Sequence, residues 1–488
     1  MTSPTLLVPL DGAALAPREF FAGLRAALAG GARAVTWYGQ PAADPEQLTL
    51  TAVLEAEGRL IALRADVPRA PGFHSLTRSF PALHVFEREI FEAHGVKPHD
   101  HPWLKPVRFP RGAPAALLAY PFHRVVGRGA HEVAVGPVHA GVIEPGHFRF
   151  TCLGETVHHL EIQLGWQHRG VERLLAARDP RTATPLVETI AGDASVAHAW
   201  AHAAALEALA GLEPAPALEA SRALGLELER IGMHLAGLAG LTGDVAFLQG
   251  TSTYGRLRTT VINATQRLCG NRFGRGWVRP GALRAPVDAA GAAALRESLA
   301  LVERDVAIAN DRLLASASVA HRLRGTGTVT RAQALELGLV GLAARASGVD
   351  LDVRTRLPGA LHARLPVASV VEAAGDCEAR ARVRLREIDA SVAWIRALLD
   401  LHPALERAAA PVGPLAPRAL AVAVRESWRG EVVHALETDA AGRPCALRIQ
   451  DPALRNWHGL ALAVRGAAIS DFPICNKSFD LSYCGSDL

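Results

Sequence analysis

The spacing of apolar positions changes twice along the chain. Up to about residue 105 they alternate with polar ones in short runs, and Ala34–Tyr38, Leu48–Leu54 and Leu60–Ala65 read as strands. The last two form a hairpin around Glu57-Gly58, a helix-like stretch covers Ala16–Leu28, and an apolar segment follows at Phe80–Phe91. Pro102–Arg128 is rich in Pro, Gly and Arg without a sustained period and reads as an interdomain linker. Strand-like runs resume at His131–Val135, Gly146–Leu153 and His158–Gly165. After Glu172 the apolar spacing becomes three and four, which predicts helices over Ala197–Ala210, Ala217–Leu238, Thr251–Leu268, Ala292–Ser316 and Cys377–Leu399. Breaks are expected at Gly211–Pro216, Gly240–Gly243, Gly274–Pro286 and Leu401–Pro417. Strands return at Ala419–Arg425, Glu431–Leu436 and Ala446–Ile449, before an amphipathic helix at Trp457–Val464. No internal repeat is visible. The expected fold class is α+β: a small α/β domain over 1–110, a linker over 111–132, and a mostly helical domain with a β rim over 133–488.

Composition narrows the class. At 488 residues, 49% hydrophobic and 20% charged, the chain has enough apolar sequence for a large core and is not globally disordered. A net charge of +4, carried by arginines scattered among acids with only Lys97, Lys105 and Lys477 as lysines, argues against nucleic acid as a partner. No basic stretch leads into a sustained apolar run at the N-terminus, so no secretion signal is expected. No uninterrupted apolar run reaches about 18 residues, so no transmembrane segment is expected. The six cysteines (152, 269, 377, 445, 475, 484) contain no CxxC spacing, which removes local support for zinc ribbons and four-cysteine clusters.

Several motifs carry more. Glu87-Arg88-Glu89, followed by His101-Pro102-Trp103-Leu104, reads by itself as a solvated strand-to-helix edge. Its spacing resembles the E-R-E…H-P-x-L signature of the C-type subunit of respiratory complex I, which implies a docking domain without a cofactor. Gly136-Pro137-Val138-His139-Ala140-Gly141-Val142-Ile143-Glu144-Pro145-Gly146 resembles the opening hairpin of the D-type subunit and of the large subunit of energy-converting (group 4, formate-hydrogenlyase-type) hydrogenases. Complex I places a second, quinone-site histidine where Ile143 stands. The hydrogenase branch carries a glutamate at the position of Glu144, and the resemblance makes it the start of a proton path. A carboxyl group near an apolar interior has its pKa raised toward neutrality, as relay requires. Read alone, Glu144 before Pro145 is a surface acid at a turn end.

Gly165-Trp166-Gln167-His168-Arg169-Gly170-Val171-Glu172 is similar to the family's G-Y-x-H-R-G-I-E, with His168 and Arg169 bridging the hairpin to the core. Glu229-Arg230-Ile231-Gly232-Met233-His234-Leu235 and Asp244 resemble a family helix whose polar line leads toward the membrane arm. Helix-face solvation is the plainer alternative. Gly270–Gly281 lacks the GKS/T of a phosphate loop, and the resemblance to the hydrogenase-like branch implies a structural loop there.

The most telling stretch is Glu188-Thr189-Ile190-Ala191-Gly192-Asp193-Ala194-Ser195-Val196-Ala197-His198. It has the frame of the hydrogenase motif E-R-I-C-G-I-C-S-x-x-H, with alanine at both cysteine positions. A methyl group cannot ligate a metal. Near the C-terminus Arg429-Gly430-Glu431 resembles the R-G-E beside the metal pocket. Anchoring the terminal D-P-C-x-x-C on Asp480 places its cysteines at Ser482 and Gly485, with Cys484 one residue out of register and Cys475 upstream. A nickel–iron centre needs all four thiolates. His198 holds the position that hydrogen-bonds a metal-bound cysteine in hydrogenases, and freed from that duty it becomes a candidate proton carrier. With His202 it has an i,i+4 spacing that can hold zinc, but no HExxH glutamate lies between them.

The resemblance spans nearly the whole chain and places it in the hydrogenase-related branch that has lost its cysteines. It implies a peripheral-arm oxidoreductase-complex subunit that couples electron transfer to proton or ion movement. Its partners are expected to be an iron–sulfur small subunit and antiporter-like membrane subunits. No cofactor or nickel is expected in this chain. Glu144, His139, His198, His168 and Arg169 are the candidate proton-handling residues, and the expected place is the cytoplasmic side of the inner (plasma) membrane. Two alternatives stay open: a non-enzymatic scaffold of an ion-transporting complex, and an NADH/quinone-type oxidoreductase or hydrogenase subunit. Phe479, Leu481 and Tyr483 predict that the C-terminal tail threads into the core.

Overall fold

The computed structural model describes residues 3–12, 14–110, 114–139, 143–405 and 409–488. Two sheets lie face to face at its centre. The first is an antiparallel meander of Arg33–Pro41, Gln47–Ala56 and Arg59–Pro68, with Ala14–Leu15 paired in parallel at its edge. Glu57 and Gly58 both take positive φ, as a tight two-residue hairpin turn requires. Gln47–Ala56 is buried at eight of ten positions because both its faces are covered. The Pro17–Ala29 and His84–His94 helices supply Phe20, Leu24 and Phe86 to one face. Val35 and Val53 on the other face meet Val422, Val424 and Val433 of the second sheet.

That second sheet is fully antiparallel, in the order Thr5–Pro9, Ala419–Glu426, Glu431–Thr438 and Pro444–Gln450. The first strand of the chain therefore completes a sheet built mostly by its last quarter. Both central strands are buried at every position, a pattern that reads as a continuous apolar run rather than an alternation. Because side chains alternate faces, Val433 and Ala435 turn toward the first sheet, while Val432, His434 and Leu436 turn toward the Ser195–Leu209 helix.

Beyond the sheets stands the helical body: Pro216–Asp244, Leu248–Cys269, Ala289–Ala315 and Cys377–Leu401, with the three-stranded sheet Ala130–Val135, His147–Leu153 and Thr156–Gln163 at its side. The α+β class stands. The expected break at Gly240–Gly243 does not form, and one helix runs through to Asp244. The glycines there make room instead of ending the helix. A Cβ on Gly240 would lie 2.1 Å from Cε of Lys477, and one on Gly237 2.9 Å from Nε of Arg384. Short helices at Ala317–Leu323, Arg331–Glu336 and Gly341–Ala346 fill a region where no element is expected. Within the stretch read as linker, a helix forms at Pro114–Leu118 and Tyr120 is buried; Arg111, Gly112 and Ala113 lie outside the described residues.

The Glu87-Arg88-Glu89 run is not a solvated edge. All three side chains are buried. Glu87 accepts from the Leu76 amide (2.7 Å) and the Thr77 hydroxyl (2.9 Å), Arg88 donates to the Lys105 and Pro106 carbonyls, and Glu89 pairs with Arg108 (2.8 Å) and with Arg448 of the second sheet. The motif ties the small domain to the large one. Among the described residues, no helix is long and apolar enough to cross a membrane.

Candidate functional site

Four chain segments meet where the sequence places its vanished thiolates. Ala191 and Ala194 are fully buried in the main apolar core. Between them Asp193 makes a two-pronged ion pair with Arg429, at 2.7 and 2.6 Å, and its carbonyl accepts from the Trp428 indole at 2.9 Å. Arg429 also donates to the Asp480 carbonyl, so the R-G-E segment clamps both halves of the old ligand frame together. Burial works against this guanidinium, but Asp193 and Asp480 hold its pKa above the ordinary arginine value. Glu188 accepts from the Gly276 amide at 2.5 Å, which gives the Gly270–Gly281 loop its structural place.

Nickel does not fit this donor set. Ser482 spends its hydroxyl oxygen as N-cap of the Tyr483–Asp487 helix, accepting from the Gly485 amide at 2.9 Å. A Cβ added to Gly485 would sit 2.6 Å from Cγ of Asp451, so a carboxylate now occupies the space a cysteine there would need. Among the described residues no cluster of three or more His, Cys, Asp or Glu is arranged to hold a metal.

Asp451 begins a buried polar line. Its Oδ2 lies 3.1 Å from Nε2 of His198, and Nδ1 of His198 lies 3.1 Å from Nε2 of His434. All three side chains are buried. The tautomers that satisfy both contacts have His198 donating to Asp451 and accepting from His434. That leaves Nδ1 of His434 without a partner. Burial, with His198 and His202 adding to it, holds His434 well below the ordinary histidine range. His202 does not join His198 as a zinc ligand: its Nε2 is engaged by the Pro180 carbonyl at 3.1 Å, and burial lowers its pKa to about 4. Asp451 and His434 carry no family motif in the sequence reading. The available signals were Asp451-Pro452 ahead of an apolar helix and a lone histidine within Val432-Val433-His434-Ala435-Leu436.

The other expected site residues gather around the C-terminal tail. Glu144 is not a surface acid: its carboxylate accepts from the Tyr483 (3.2 Å) and Cys484 (3.0 Å) amides at a helix start, where backbone N–H groups favour a negative charge. Burial and the facing Glu144 push the Cys484 thiol up to about 12. His139 packs against Phe148 and Tyr483, with ring centroids 5.6 and 6.0 Å away, and burial lowers its pKa. Ala140, Gly141 and Val142 of this hairpin lie outside the described residues. His168 Nδ1 donates to the Asp487 carbonyl at 2.8 Å. The Arg169 guanidinium donates to the Thr189, Ile190 and Cys484 carbonyls, and its backbone amide to Leu488. The structure thus brings Glu144, His139, His168 and Arg169 around the same short tail helix, with Arg169 reaching both Cys484 and Leu488. His198 stands apart, in the Asp451–His434 line.

A second polar system lies deeper. Helix-face solvation does not hold for the Glu229 segment: Glu227, Arg230 and His234 are buried. Arg230 pairs with Glu227 (3.1 Å), His234 with Glu387 (2.6 Å), and Arg345 with both Glu387 and Glu426 at 2.6 Å. Burial raises the Glu426 carboxyl to about 7 against the pull of Arg345. Arg230 donates to the Glu426 and Ser427 carbonyls, two residues from Arg429, so this network adjoins the old metal frame. A cavity of about 750 Å³ opens elsewhere, among Trp200, Leu226, Leu361, Leu398 and Arg425, and none of the sequence-predicted site residues lines it.

Residues 28–123 match the family described as "Respiratory-chain NADH dehydrogenase, 30 Kd subunit", and residues 244–412 match its "49 Kd subunit". A carbon monoxide-induced hydrogenase of Rhodospirillum rubrum is 31% identical over 354 residues, 72% of this chain and 97% of the relative. Formate hydrogenlyase subunit 5 of Escherichia coli is 27% identical over 88% of this chain and 79% of its own length. A fused C/D chain of the NADH-quinone oxidoreductase of Bacteroides thetaiotaomicron is 26% identical over 73% of this chain and 68% of its own length. The chain therefore belongs to the family of group 4 hydrogenase large subunits and complex I C- and D-type subunits, with the two domains fused and the metal-binding cysteines absent.

Proposed function

We propose that this protein is a peripheral subunit of a membrane-bound, complex-I-like assembly and has no nickel–iron centre of its own. It receives electrons from an iron–sulfur small subunit, and the conformational and proton events that follow drive ion movement through antiporter-like membrane partners on the cytoplasmic side. The observation that carries this reading is the Asp451–His198–His434 line, a buried carboxylate and two imidazoles in which Asp451 fills the space a cysteine at 485 would need. Each member can pass a proton to the next without moving its backbone, and burial keeps water from short-circuiting the transfer. Glu144, at the start of the tail helix, is the second proton-handling candidate.

A scaffold role is supported by a different observation. Ala191 and Ala194 are sealed in apolar packing, and Arg429 and Arg169 lock the surrounding segments by ion pair and hydrogen bond. Elemental analysis and low-temperature electron paramagnetic resonance of the assembly purified from its native membrane separate the two. Iron at cluster stoichiometry without nickel supports electron transfer, neither metal supports the scaffold, and stoichiometric nickel overturns both.

A further inference from the structure

Two sulfurs far from each other in sequence meet in the core. Cys377 is the first residue of the Cys377–Leu401 helix and Cys475 lies within Phe472–Phe479; both are fully buried. Gly327, at positive φ, presses against the pair: a Cβ on it would lie 2.6 Å from Sγ of Cys475 and 3.4 Å from Sγ of Cys377. The two sulfurs thus flank one and the same glycine.

Arg380 sets the charge state. Its guanidinium is fully buried, 4.2 Å over the Phe479 ring. It donates to the Ser478 hydroxyl (2.8 Å), the Gly375 carbonyl (2.7 Å), the Gly327 carbonyl (2.8 Å) and Sγ of Cys377 (3.4 Å). Among the described residues no carboxylate hydrogen-bonds to it. A guanidinium stays charged in a protein, and a buried charge without a counterion is costly. Of its four partners only the Cys377 sulfur can become an anion. The start of a 25-residue helix favours the same charge. Two acids oppose it. Asp376 turns its carboxylate to the Ala379 and Gly325 amides, at 2.8 and 2.7 Å, and Asp471 acts on Cys475 from the other helix. The neighbouring Cys475 thiol, with Arg380 close by, lowers the Cys377 pKa; the neighbouring Cys377 and burial raise that of Cys475.

We infer that Cys377 and Cys475 form a redox-active thiolate–thiol pair that a small peroxide-class oxidant converts into a disulfide joining the two helices. The Cys377 thiolate attacks one peroxide oxygen; an S–O bond forms, the O–O bond breaks and hydroxide leaves. The Cys475 sulfur then attacks the Cys377 sulfur; the S–S bond forms, the S–O bond breaks, and the Cys475 proton leaves with the hydroxyl as water. Two electrons pass from the sulfurs to the peroxide. Complete burial restricts the reaction to oxidants that penetrate the core, so bulky thiol reagents stay out.

The test uses the full-length protein. Infrared S–H bands at neutral pH should account for five of its six cysteines and rise to six in acid; six at neutral pH overturns the proposal without any variant. After native exposure to hydrogen peroxide, acid quenching and peptide mapping should find Cys377 linked to Cys475, while a bulky maleimide labels the exposed Cys445 and spares both. In Cys475→Ser the reaction should stop at a Cys377 sulfenic acid, and in Cys377→Ser the Cys475 thiol should stay reduced. Oxidation of Cys445 with the pair left reduced, or of Cys475 in Cys377→Ser, refutes it.

Discussion

If Asp451 has taken the space of a lost thiolate, its carboxyl group and the absent side chain of Gly485 are energetically coupled. Gly485→Ala puts a methyl 2.6 Å from Cγ and 2.8 Å from Oδ2 of Asp451, well inside ordinary contact. Such overpacking costs about 1–3 kcal/mol, partly offset by alanine's helix preference over glycine of about 1 kcal/mol. Asp451→Ala removes the acceptor of the Ala453 amide (2.8 Å) and of His198 (3.1 Å), about 1.5–3 kcal/mol for each charge-assisted bond. In the double variant the clash disappears and the new methyl fills part of the vacated space. The double variant should then be more stable than the sum of the single effects by about 1–3 kcal/mol. Hydrogen exchange of segments 453–463 and 483–487 reads this locally, where one global unfolding midpoint is not well defined for a two-domain chain. Additivity within about 0.5 kcal/mol would refute the substitution of carboxylate for thiolate.

Three further outcomes are expected. Burial raises the Glu229 carboxyl from 4.5 to about 8 against its bonds from the Val196 and Ala197 amides. The folded chain then binds a proton the unfolded chain releases, so stability falls as pH rises from 4.5 to about 8, by at most about 1.4 kcal/mol per pH unit. Glu229→Gln should flatten local protection across that window, and an unchanged slope counts against the shift. Glu387→Gln strips Arg345 of one of its two close carboxylates and should cost about 3–5 kcal/mol in hydrogen-exchange protection of the 377–401 helix; a loss under about 1 kcal/mol speaks against an ionic core. Deleting 479–488 exposes the contacts of Phe479, Leu481, Tyr483 and Leu488, about 1.5–3 kcal/mol each, against a usual stability margin of about 5–15 kcal/mol. No cooperative melt should remain in circular dichroism, and a sharp one shows that the tail is dispensable.

What the sequence made legible follows from periodicity. The long helices and the Arg33–Pro68 meander announce themselves through the period of their apolar positions, so most of their ends fall within a few residues of expectation. Gly240–Gly243 misled because a glycine's local cost was outweighed by the Lys477 side chain, which needs the space and arrives from 237 residues further on. Glu87, Arg88 and Glu89 looked solvated for the same reason: the partner that makes burial of Glu89 tolerable, Arg448, belongs to the other domain. In each case the deciding group was distant in sequence.

The candidate site shows the same limit in sharper form. Motif spacing located where the thiolates would have been, and a missing sulfur is visible in one letter. What replaced it is visible only in three dimensions, because Asp451 and His434 reach His198 from a loop and a strand more than 230 residues away. Metal binding is often a large share of a site's folding energy, so a frame that loses its ligands must recover stability elsewhere. Here the recovery is distributed: alanines add to the apolar core, a carboxylate and two imidazoles are hydrogen-bonded in a line, and Arg429 binds Asp193 and Asp480 across the gap. A cavity that had merely decayed would leave polar remnants without partners. The side chains of Asp193, Asp451 and His198 are all paired, and of that line only Nδ1 of His434 is such a remnant.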